Sequence, residues 1–158
     1  MYRIFKTLHL LGLTLFLGSV FGHIVAGQAV GAQGGPYLVA ARTEIVAATR
    51  FLTMPGLALA MASGLAMLFF ARLSPLKTPW LAAHIALAAV VVVTAVAVVV
   101  PAGREALSLV LAGDFGAGLN AALNREHGFG AVNVALTLAL IILGVFKPKW
   151  GRPAQARS

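Results

Sequence analysis

The sequence predicts an all-α membrane protein: a single domain of four transmembrane helices, bundled, with both termini on the cytoplasmic side. Three observations lead there. Of 158 residues, 60% are hydrophobic and only 10% charged, with a mean hydropathy of +0.94, whereas a soluble domain is about a quarter charged. Four apolar runs are each long enough to cross about 30 Å of hydrocarbon as a helix. The basic residues gather at the ends of those runs, so the net charge of +8 reads as topology rather than nucleic-acid binding. There is no cysteine, which excludes disulfides, thiolate metal sites and covalent haem attachment.

The first span covers residues 4–30, behind the basic start Arg3 and Lys6. A secretory signal peptide competes for this stretch, with small residues around Ala26-Gly27-Gln28-Ala29 as its cleavage site. The apolar run is longer than the roughly 7–15 residues of a signal core, which favours a span. Residues 31–36 read as a glycine-rich loop ended by Pro36. The second span, residues 44–71, carries Arg50 inside it and a kink at Pro55-Gly56. Arg50, Met54, Leu57, Met61, Gly64 and Leu68 share one of its faces.

The third span, residues 79–101, opens with the interfacial Trp80 and stops at Pro101. Its valine run would suit a strand in water. In lipid an isolated strand leaves backbone groups unsatisfied, so helix is expected. Residues 102–127 read as an interfacial helix and a loop lying over the bundle. The fourth span, residues 128–146, is stopped by Lys147-Pro148, and residues 151–158 form a basic tail expected to be disordered.

Charge orients these spans. Arg3, Lys6, Arg72, Lys77, Lys147, Lys149, Arg152 and Arg157 fall on the side of the termini. Arg42, Arg50, Arg104 and Arg125 fall on the other, with all the acidic residues. The positive-inside rule then puts both termini in the cytoplasm, and the expected location is a bacterial cytoplasmic (inner) membrane.

Ionisable side chains inside spans are costly and point to function. On the first span, His9 and His23 fall within roughly 40° of each other and about 21 Å apart along the axis. Span direction sorts the four histidines by depth: His9 and His84 near the inner surface, His23 and His127 near the outer one. Each pair comes from two different helices, which is how bundles hold cofactors. Histidine is a usual axial ligand of haem iron. The competing reading is that the histidines only bridge helices, and that His127 is a loop residue.

Short motifs also carry a resemblance. Lys6-Thr7-Leu8-His9 opening a span, Arg50-Phe51-Leu52-Thr53-Met54-Pro55-Gly56 in the second, and Trp80-Leu81-Ala82-Ala83-His84 opening the third resemble the J-type (HemJ) protoporphyrinogen oxidases and CopD-like membrane proteins. The end of the chain, Asn124 followed by a span closing on Val145-Phe146-Lys147-Pro148, is similar too. The resemblance implies haem b on the first-span histidine. It departs in the third span, where the family pattern implies lysine and this chain has His84.

The expected function is that of a membrane-embedded b-type cytochrome, transferring electrons through a haem b held by His9 and His84. One or two haems are expected, the second between His23 and His127, with Arg50, and after it Arg42, set to neutralise the haem propionates. The alternatives are a porphyrinogen or quinol oxidoreductase, and a copper-handling protein using histidine with Met54, Met61 or Met67. Expected partners are membrane lipid, a quinone or another redox protein, and further copies or subunits in the membrane; nucleic acid is not expected.

Overall fold

The computed structural model describes residues 2–30, 35–72 and 74–148. The described residues form four long helices: α1 (Tyr2–Val30), α2 (Gly35–Phe70), α3 (Pro79–Leu111) and α4 (Ala117–Phe146). A single 3₁₀ turn, Pro75–Lys77, leads from α2 to α3, and no strand occurs among the described residues. All four helices are long and apolar enough to cross a membrane. The basic tail expected at residues 151–158 and most of the first loop lie outside the described residues.

Local sequence fixes the helix ends. Pro79 sits in the first turn of α3, where a missing N–H costs nothing and a fixed φ helps. Between α3 and α4, Gly113 takes the left-handed conformation (φ 72°), while its N–H and that of Asp114 return to the Val110 and Leu109 carbonyls. The Asp114 carboxylate then accepts the Gly116 N–H at 2.9 Å. At the other end of α4, Lys147 is left-handed too (φ 44°).

Two prolines are absorbed rather than obeyed. A proline removes one helical hydrogen bond and crowds the carbonyl four residues earlier. For Pro55 and Pro101 those carbonyls belong to Phe51 and Ala97, and each lies in a π-helical turn, Thr49–Thr53 in α2 and Ala95–Val99 in α3. The wider turn gives the carbonyl room, and the helix runs on. Pro101 is therefore not the stop expected for the third span, and α3 continues to Leu111.

The helices pair as two antiparallel hairpins. On α1–α2 the backbones nearly touch: a Cβ added at Gly12 would lie 2.5 Å from the Ala60 nitrogen and 2.7 Å from the Gly56 oxygen. On α3–α4, Thr94 donates to the Asn133 side chain, and the Asn133 amide donates to the Val91 carbonyl at 3.5 Å. Phe16, Leu57, Val91, Ala95 and Leu140 form the core where the hairpins meet.

These helices are longer than a bilayer is thick. At about 1.5 Å per residue α2 spans about 54 Å and α3 about 50 Å, against about 30 Å of hydrocarbon. The ends on the side of the chain termini, inner by the charge distribution, are aligned by Phe5 stacked on Phe70 at 5.0 Å and by Lys147 over the Trp80 ring at 5.7 Å. Counted from that level, the about 20 residues that cross a bilayer's hydrocarbon reach to Val25, Arg50, Val100 and Glu126. The outer portions of α2, α3 and α4 project beyond it as a three-helix cap. Ala106, Val110, Leu119 and Ala122 give that cap its own small core, with Leu38 and Val39 packed against it. The interfacial helix and loop expected over residues 102–127 are instead the ends of α3 and α4 joined by a short turn.

Two outcomes test this arrangement. A cysteine at Ser74 should resist an impermeant thiol reagent in intact cells while one at Ala117 reacts; the reverse pattern would invert the protein. Gly12→Ala should lower stability in detergent by about 1–3 kcal/mol, because backbone must move to admit the methyl. Gly18→Ala should be near neutral in the same thermal unfolding assay, since nothing lies within 4 Å of its added Cβ.

Candidate functional site

The polar side chains of the membrane region gather at two levels. At the inner level His9 is held by its own hairpin. Its Nδ1 lies 2.8 Å from the Ala60 carbonyl. A carbonyl can only accept, so Nδ1 carries the proton and Nε2 keeps its lone pair. Ser63 donates to the Leu59 carbonyl and also lies 3.1 Å from that of Ala60, and Gly64 faces the ring: a Cβ there would lie 3.4 Å from its Nδ1 and Cε1.

His84 repeats the arrangement on the second hairpin. It lies against Gly144 of α4, whose added Cβ would be 3.7 Å from the ring. The Leu140 carbonyl is near enough to act on the imidazole, and His84 is within charge–charge reach of His9. Its Nδ1 is buried with no hydrogen-bond partner among the described residues. Such an orphaned polar atom is costly unless a ligand or a small rotation satisfies it. The structure thus brings together the inner pair, His9 and His84.

The outer level is different. His23 Nε2 lies 3.2 Å from Ser19 Oγ, and Ser19 Oγ lies 2.7 Å from Thr53 Oγ1. Thr53 in turn points its hydroxyl at the Ala48 carbonyl, at 3.5 Å. These groups border a half-enclosed cleft of about 200 Å³ between α1 and α2, with Gly18, Gly22, Glu44 and Leu52 among its walls. His127 does not line it. That histidine is exposed on α4. The outer pair expected from depth alone is not assembled, because equal depth does not make two side chains face each other.

The arginines also fall differently from expectation. Arg50 is exposed, its guanidinium 5.6 Å from the Phe51 ring centre, and about 15 Å along the helix from Ala60. It does not face the inner pair. Arg42 is almost fully buried (3% exposed) and bonded to Glu126, with the Gly103 carbonyl 3.4 Å from Nη2. Its charge reaches His23, but its main bond is a clamp across the cap. Sequence reasoning missed that clamp, since the partners lie on different helices far apart in the chain. The only signal was an acidic residue facing the same side of the membrane as an arginine. Among the described residues no group of three or more His, Asp or Glu side chains gathers as a metal centre.

Comparison with known proteins places this geometry in a family. The model of the DUF2269 family, described as a predicted integral membrane protein, matches residues 3–148. The chain belongs to that family. No curated protein and no solved structure matches it, and nothing in these comparisons connects it with the J-type oxidases or CopD-like proteins that its short motifs resemble.

The clamp makes a measurable claim. Removing one partner of a buried ion pair leaves the other uncompensated and costs about 3–5 kcal/mol. Glu126→Ala should therefore lower the unfolding temperature far more than Glu105→Ala, whose bond to Arg125 at 2.7 Å is half exposed and worth about 0–1 kcal/mol. Equal losses would show that Arg42 is not held by Glu126.

Proposed function

We propose that this member of the DUF2269 family is a membrane b-type cytochrome with one haem b between His9 and His84. The observation that supports it is the inner pair: two imidazoles from different hairpins, within charge–charge reach of each other, each lying over a glycine. The donor set suits the group. Metal-ligating histidines usually give their second N–H to a carbonyl, and His9 already does so through Ala60, leaving Nε2 for iron. A small rotation would give the His84 Nδ1–H the Leu140 carbonyl, relieve the orphaned nitrogen and leave Nε2 free in the same way. When bound, a haem between two imidazoles supplies one-electron transfer with no open position on iron.

The chain's own residues do the rest. The Ala60 carbonyl fixes the His9 ring, so the ligand is oriented before anything binds. Gly64 and Gly144 keep the space beside each ring free of side chains. Outward of the pair, the core formed by Phe16, Leu57, Val91 and Leu140 separates it from the outer face. The second haem and the propionate role of Arg50 gain no such support and form no part of the proposed site.

The full-length protein purified in mild detergent from haem-replete cells should show a low-spin b-type spectrum. His9→Ala and His84→Ala should each remove nearly all of it, and His127→Ala should leave it intact. A colourless wild-type protein would overturn the reading. A spectrum indifferent to both His9 and His84 would keep the cytochrome and discard this site.

A further inference from the structure

We propose that the outer cleft between α1 and α2 binds the head group of a lipid-soluble hydroquinone, with His23 accepting a hydrogen bond from one of its hydroxyls. The hydrogen-bond chain sets the polarity of that site. The Ala48 carbonyl can only accept, so Thr53 donates to it. Ser19 then donates to Thr53, and His23 donates to Ser19 through Nε2–H. A neutral imidazole protonated at Nε2 carries its lone pair on Nδ1. That nitrogen has no hydrogen-bond partner among the described residues and belongs to a residue lining the cleft. With the chain running in that order, it is an acceptor.

A second acceptor stands in the same wall. Glu44 lines the cleft and is exposed, and its carboxylate oxygens can accept hydrogen bonds. Two acceptors ask for a ligand with two donors. Between them the surface is apolar and flat on one side, built by Gly18, Gly22 and Ala26, with Ile45 and Leu52 opposite. The volume of about 200 Å³ admits one substituted six-membered ring, since about 150 Å³ suffices for benzene. It is too small for a porphyrin or a sterol. The ligand that fits is a compact aromatic ring with two hydroxyls, entering from the outer leaflet. As the electron donor of a cytochrome such a ligand rests on the reading above, but its binding does not.

The test uses full-length protein in detergent and radiolabelled duroquinol, a single-ring hydroquinone kept reduced, as the probe in equilibrium dialysis. Saturable binding is expected, at least tenfold weaker in His23→Ala. Gly22→Leu should weaken it as much by filling the cleft, and it should leave the fold intact because nothing lies within 4 Å of its added Cβ. His9→Ala should bind like wild type. No saturable binding, or binding indifferent to both outer variants, would overturn the site. So would equal displacement by oleic acid, which would assign the cleft to acyl chains. The two readings separate cleanly: a colourless protein with His23-dependent binding keeps the cleft and loses the cytochrome, and a haem protein whose binding ignores His23 does the reverse.

Discussion

The contact of Gly12 with Gly56 and Ala60 sets the register of the α1–α2 hairpin, and both polar levels inherit their geometry from it. Where two antiparallel backbones meet without side chains between them, neither helix can slide without a clash. One turn inward of Gly12, His9 reaches the Ala60 carbonyl. Two turns outward, Ser19 reaches Thr53, and one turn beyond that His23 closes the chain. At the inner end the same register stacks Phe5 on Phe70. A methyl group at Gly12 would disturb a hydrogen bond on each side of it.

The bilayer imposes the other constraint, and it explains what can be read from the sequence. Each span has to be helical because lipid offers backbone groups no partner, so the number and inner ends of the helices are legible from hydropathy. Their outer ends are not. Hydropathy reports which solvent a segment prefers, and by that measure the polar residues 102–127 belong outside the hydrocarbon. It does not report backbone conformation, and those residues continue as helix because Ala106, Val110, Leu119 and Ala122 bury one another. Pro101 misleads for a related reason. A proline breaks a helix only if the carbonyl it crowds has nowhere to go, and the turn Ala95–Val99 supplies that space. The turn Thr49–Thr53 does the same for Pro55, where the sequence predicts a kink.

The candidate site divides along similar lines. Depth follows from counting residues along a helix of known rise, so the sequence alone puts His9 and His84 at one level. Facing requires knowing which helices pair and how each is rotated. That information resides in contacts such as Gly64 with His9 and Gly144 with His84, whose partners are far apart in the chain. His127 shares a level with His23 yet points away. Arg42 gives no local sign of Glu126 for the same reason.

Which nitrogen each α1 histidine commits to its own hairpin separates the two levels chemically. His9 is held by Nδ1, which leaves Nε2, the nitrogen far from the main chain and open to a bulky planar partner. His23 is held by Nε2, which leaves Nδ1, the nitrogen beside the Cβ attachment and crowded by its own helix. A porphyrin cannot easily approach a nitrogen so placed, whereas a single hydroxyl can. Although both are imidazoles on one face of one helix, in the proposed reading the hydrogen bonds made by Ala60 and Ser19 suit the inner one to metal and the outer one to a hydrogen-bonded ligand. On a single transmembrane helix, one residue type can thus serve two chemistries because its neighbours choose the tautomer.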